Sequence, residues 1–107
     1  MRCWPTSPSR RPSLDPELLI LTSLASGPKH GYAIMADVES MTGARIGPGT
    51  LYGAIPRLEQ AGLVEPLEST DRRRPYRLTG RGAEVLRTRL ESMRGLSIAG
   101  LDRLGAT

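Results

Sequence analysis

Four breaks, at Gly27-Pro28, Gly43, Gly47-Pro48 and Gly62, divide residues 14–62 into three short helices and leave no room for a long one. The first helix has a clear start. Asp15 is a good N-cap, Pro16 suits the first helical position, and Leu14 is placed to staple against Leu19. Leu18, Leu19, Leu21 and Leu24 make it apolar on most sides, which predicts a central position in the fold. The second helix is predicted from about Gly31 to Met41, with Tyr32, Met35, Val38 and, at the edge, Met41 buried and Asp37, Glu39 and Ser40 facing out. The third begins at Pro48, with Gly47 as a weak cap, and turns Leu51, Ile55 and Leu58 toward the core.

Beyond Gly62 the period changes. Leu63–Glu68 and Pro75–Leu78 read as two short strands around a turn at Ser69–Arg74, so a β-hairpin follows the third helix. Thr79 then caps a fourth helix whose Leu86, Leu90 and Met93 recur at four and three residues. Three helices and a hairpin are the order of a winged helix-turn-helix. The predicted fold is therefore mainly α with a small β-hairpin: a basic disordered arm at 1–13, a winged helix-turn-helix at 14–79, and a C-terminal dimerisation helix at 80–107. The end of that helix, with Ile98, Leu101 and Leu104, is interrupted by Gly95, Gly100 and Gly105 and is expected to fray or to order only in a dimer.

Composition narrows the classes of function. In 107 residues there is no Phe, one Trp and three Tyr, so the core must be small and aliphatic, and a second subunit is expected to help it. Cys3 is alone, which excludes an intrachain disulfide and fits a reducing cytoplasm. No apolar run approaches the roughly 18 residues of a membrane span. His30 and Cys3 share no metal-ligand spacing, and His30, at the start of the second helix, reads as a cap or packing residue. Asp37 and Glu39 diverge on a helix and cannot act as an acid–base pair, and no glycine run forms a phosphate loop. No metal, no cofactor and no enzymatic activity are expected.

The net charge of +4 is distributed unevenly. Residues 14–71 carry eight acids against Lys29, Arg45 and Arg57, whereas residues 72–107 carry nine arginines against Glu84, Glu91 and Asp102. A polyanion would therefore meet the hairpin first. Arg72, Arg73 and Arg74 fall at its tip and Arg77 on the returning strand, with Tyr76 and Leu78 on the opposite, core-facing side. A helix entering a DNA groove needs a slender N-terminal turn with free N–H groups, and Pro48, Gly49, Thr50 and Gly53 supply one. Arg57 could reach a guanine edge or a phosphate from that helix, or be merely solvated. Tyr52 could donate to a phosphate, or pack against the second helix. Pro56 removes a hydrogen bond to the Tyr52 carbonyl and is expected to kink or shorten the helix.

Taken in order, His30-Gly31-Tyr32, the run GPGTLYGAIPRLEQAGLVE and the run RRRPYRLTGRGAEVL resemble the PadR family of bacterial transcriptional regulators across about Leu18–Leu90. The resemblance implies a homodimeric winged-helix repressor, bound to a pseudo-palindromic operator in double-stranded DNA and released by a small-molecule effector or a partner. On this DNA-binding reading the residues expected to contact DNA are Gly49, Thr50, Tyr52, Gly53, Arg57, Arg72, Arg73, Arg74 and Arg77. Leu86, Leu90, Met93 and Leu101 would form the dimer seam. Family members more often carry a basic or small residue where this chain has Pro56, and some have a larger C-terminal helical domain than its short final segment provides. The alternative is a winged-helix interaction module that docks its arginine wing on an acidic protein.

Overall fold

The computed structural model describes residues 15–69 and 72–105. The arm at 1–13, the Leu14 staple, and Thr70 and Asp71 in the hairpin turn lie outside the described residues. Helix α1 (Pro16–Leu24) starts as its sequence directs: the Asp15 carboxylate accepts from the Glu17 N–H at 3.0 Å, with Pro16 in the first turn. Leu18, Leu19, Ile20, Leu21 and Leu24 are all buried, which makes α1 the helix around which the others pack. Ser23, the one buried polar side chain among the described residues, donates to Asp37 at 2.7 Å. Asp37 is thus tied to α1, with Lys29 Nζ 3.9 Å away, and faces solvent only in part.

After Gly27, whose φ of 144° reverses the chain, Lys29–His30 forms a strand (β1) that the sequence did not announce. Two residues are too few to show a period. They are strand only because β3 (Pro75–Leu78) lies alongside, pairing Lys29 with Tyr76 and His30 with Pro75. With β2 (Val64–Pro66) on the other edge, the expected hairpin becomes a three-stranded antiparallel sheet in the order β1-β3-β2. Helix α2 (Gly31–Thr42) then begins with His30 as cap, its Nδ1 accepting from the Ala33 N–H at 3.3 Å. Its buried residues are Gly31, Ile34 and Val38. The expected stripe is corrected here: Tyr32 and Met41 are exposed and Met35 is only partly buried, because Gly31 lies against the third helix and sets the rotation of α2.

Helix α3 (Pro48–Gln60) buries Leu51, Ala54, Ile55 and Leu58, and Pro56 lies inside it without shortening it. The residues on either side of Pro56 in sequence, Ile55 and Leu58, are held in the core, and that burial carries the helix past the missing donor. The turn at Gly62 (φ 77°) leads into β2, and the Thr79 hydroxyl donates back to the Gly62 carbonyl at 2.6 Å. Thr79 Oγ1 also accepts from the Gly82 N–H at 2.9 Å, capping α4 (Gly80–Gly105) as the sequence predicted.

Helix α4 corrects two expectations. Leu86, assigned to a dimer seam, is buried in this subunit's own core, where α4 packs on α1 and β3. The segment expected to fray or to order only in a dimer is helical to Gly105, since a capped and docked first turn has already met the nucleation cost. At 26 residues, α4 is about 39 Å long, and among the described residues none beyond Leu86 is buried. Leu90 and Met93 are partly exposed, and Leu96, Leu101 and Leu104 are each more than two-thirds exposed.

Gly82 is the tightest point of the α4 docking. A Cβ there would strike the Leu63 carbonyl oxygen and come within 2.8 Å of Leu78 Cδ1. Gly82→Ala is expected to destabilise the domain by about 1–3 kcal/mol, the range of core overpacking. Gly95→Ala, where nothing lies within 4 Å, should instead add about 0.5–1 kcal/mol. Urea unfolding of the two variants beside the parent checks both signs.

Candidate nucleic-acid interface

The outer face of α3 is unusually bare. Gly49, Thr50, Gly53 and Arg57 are all exposed, and a Cβ added at Gly49 or Gly53 would meet no atom within 4 Å. Neither glycine has a positive φ. A glycine inside a helix costs about 1 kcal/mol relative to alanine, and at Gly53 neither packing nor backbone conformation requires it. The N-terminal turn is equally open: Gly47 precedes Pro48 and contributes no side-chain cap, so N–H groups at the positive end of the dipole have no side-chain acceptor from the cap residue. The apolar residues Leu51, Ala54, Ile55 and Leu58 fix the opposite face in the core and so aim the slender face outward.

The sheet brings the wing beside that helix. Exposed Arg72, Arg73 and Arg74 join Tyr52, Tyr32, Tyr76, His30 and Gly31 around one groove of about 400 Å³. Its floor depends on Gly31. The Tyr52 phenol occupies the space that a Cβ at Gly31 would need, with Leu51 Cδ2 3.0 Å away. Tyr52 therefore packs against the start of α2, as one reading of it expected, and is still half exposed to the groove. Burial pushes the Tyr76 phenol above its ordinary pKa; the nearby Glu59 and Tyr52 add to the rise and Arg74 opposes it.

Tyr32 is the residue that sequence reasoning misplaced. It was given to the core, yet it is exposed on the rim of this groove. Its neighbour Gly31 carried the available signal, because a glycine opening a helix beside an aromatic residue marks a close approach.

Arg57 and Arg77 each sit against a carboxylate. Arg57 Nε donates to Glu17 Oε2 at 2.8 Å and its Nη1 donates to the Gly53 carbonyl at 2.9 Å, so the guanidinium lies along α3 and bridges it to α1. Arg77 stands directly across the β2–β3 ladder from Glu65 and forms an ion pair with it. The arrangement thus gathers Arg72, Arg73, Arg74 and Tyr52 on one groove, places Gly49, Thr50 and Gly53 on the bare helix face, and leaves Arg57 and Arg77 each beside a carboxylate.

Residues 20–88 match the model of the transcriptional regulator PadR-like family. The chain belongs to that family. The assignment places it among regulators and not among enzymes, as its sequence implied. An uncharacterized 37.1 kDa protein in transposon TN4556 of Streptomyces fradiae is 52% identical over 83 residues, covering 78% of this chain and 24% of the relative. The transcriptional activator GvpE2 of Halobacterium salinarum is 35% identical over 72 residues, 67% of this chain and 36% of that protein. The chain thus spans about a quarter to a third of the curated relatives it matches. Among solved structures, a PadR family transcription regulator from Clostridium difficile R20291 superposes with a TM-score of 0.75 at 24% identity, covering 83% of this chain and 97% of that one, and shares the fold. No helix among the described residues is long and apolar enough to cross a membrane.

Gly53→Ala separates the two demands on α3. It is expected to raise stability by about 0.5–1 kcal/mol while weakening retention of duplex DNA, because the new methyl stands on the bare face. A melting curve and a gel-shift titration on the same preparation check both halves.

Proposed function

We propose that this PadR-like chain regulates transcription by binding double-stranded DNA as a homodimer on a pseudo-palindromic operator. In this reading the N-terminal half of α3 enters the major groove through Gly49, Thr50 and Gly53, and Arg72, Arg73 and Arg74 contact phosphates beside it. One observation carries the reading: Tyr52 from α3 and the wing-tip arginines line a single groove, so the helix and the cations serve one side of the molecule. A duplex presents a groove flanked by phosphate backbone in the same juxtaposition. Tyr52 and Tyr32 would donate to the sugar-phosphate backbone between them.

Dimerisation is assigned to the exposed part of α4. Leu90, Met93, Leu101 and Leu104 fall on one side of the helix at spacings of three, eight and three residues, and Leu86 anchors the root of that side in the domain core. Two such helices packed together would cover the apolar stripe and set two α3 helices about 34–36 Å apart. An apolar groove of about 540 Å³, lined by Ala25, Leu78, Ala83, Leu86 and Leu90 among others, opens beside the same stripe. An effector seated there would compete with the partner helix for Leu90, which links ligand binding to the spacing of the two α3 helices. Repression by operator occupancy is the sign we assign.

The reading is tested by titrating a duplex library with protein at several salt concentrations. Each phosphate contact should contribute about 0.9 to the slope of log affinity against log salt. Arg73→Glu should flatten that slope and weaken every sequence alike; unchanged retention would point instead to an acidic protein as the partner of the wing. Leu90→Asp should give a monomer by sedimentation and lose operator binding. A monomeric variant that still bound the operator would overturn the dimer assignment. A reporter placed behind the selected operator reads the sign, and activation there would refute repression.

A further inference from the structure

Arg57 occupies the helix face that the proposed duplex would cover, but it is held by a carboxylate of its own chain. Its Nε donates to Glu17 Oε2 at 2.8 Å and its Nη1 to the Gly53 carbonyl at 2.9 Å. Glu17 comes from the first turn of α1, forty residues away in sequence, so the pairing is made by the tertiary fold and not by helix spacing. The pair is partly open to solvent: the Arg57 side chain is 64% exposed and that of Glu17 31%. An ion pair of that exposure stabilises the fold weakly and is exchanged readily for a better acceptor.

On the DNA-binding reading above, on which this inference rests, we infer that Glu17 is a specificity-determining residue, an attenuator that withholds Arg57 from non-specific DNA. An isolated phosphate offers Arg57 little more than the carboxylate it must leave, and the released Glu17 would then face the polyanion. A guanine edge, with two acceptors matched to the guanidinium fork, offers a bidentate bond in exchange. Arg57 is therefore a conditional cation: silent on most duplexes and engaged where a base repays its release. The wing-tip arginines supply the sequence-independent attraction.

The attenuation has a signature in salt dependence. While Arg57 stays paired with Glu17, the two together bring no net charge to the duplex and add almost nothing to the slope. With Glu17 neutralised, a contact from Arg57 to a phosphate adds about 0.9 for each docked protomer.

The test compares the parent chain with Glu17→Gln, Arg57→Gln and the double variant, titrated onto a random-sequence duplex across a range of salt. Binding by the parent chain tests the DNA reading; the differences among variants test the attenuator. Glu17→Gln is expected to bind the random duplex about 1.5- to 5-fold more tightly per docked protomer, the size of an exposed ion pair, with a steeper slope. The gain should largely vanish when Arg57→Gln is added. Melting curves, with Glu17→Ala as a second neutral variant, confirm that the fold is retained. Weaker binding by Glu17→Gln, an unchanged slope, or a gain that survives the loss of Arg57 would each overturn the proposal.

Discussion

Burial of α1 is the interaction on which the rest of this structure depends. Ile20 and Leu21 are wholly inaccessible, and α2, α3, α4 and β3 all pack against this nine-residue helix. With no phenylalanine in the chain, that aliphatic surface is most of what holds three short helices in register. Ser23, the one buried polar side chain among the described residues, is satisfied by Asp37, so the connection to α2 carries no orphaned group. Each element that reaches the candidate interface is placed by its contact with this centre.

The consequence for function is directional. Leu51, Ala54, Ile55 and Leu58 pin one face of α3, and the opposite face is left with glycines, a threonine and an arginine. The sheet then sets the wing at the correct side. Because β3 pairs with β1 at the start of α2 as well as with β2, the hairpin cannot swing freely, and its arginines remain beside Tyr52 and Tyr32. A two-residue strand thus does more for the geometry of the interface than its length suggests.

Much of the local structure was legible because it depends on near neighbours. The Asp15 and Thr79 caps, the His30 cap, the glycine breaks and the inward face of α3 all follow from contacts within a few residues. The misreadings have a common cause. Tyr32 was assigned inward because an aromatic residue at helical spacing ordinarily packs, but Gly31 lies against Tyr52 and turns Tyr32 out. Leu86 belonged to a stripe that looks continuous in sequence, yet the surface that divides it, the side of α1 and β3, is formed by distant segments. Pro56 predicted a kinked or shortened helix, and with burial on both sides of it α3 is not shortened.

By itself, the sequence determined the number of helices, their caps and breaks, the charge of the wing, and the PadR-like family to which the chain belongs. Those features reside in short windows and in the order of motifs, where the chain's own chemistry is sufficient. Only the tertiary structure decided that Arg57 and Arg77 would each sit against a carboxylate. Glu17 reaches Arg57 and Glu65 meets Arg77 because α1 crosses α3 and because β2 and β3 pair in one register. An ion pair between segments tens of residues apart leaves no trace in composition or period; it exists once packing has brought the two side chains within a few ångströms.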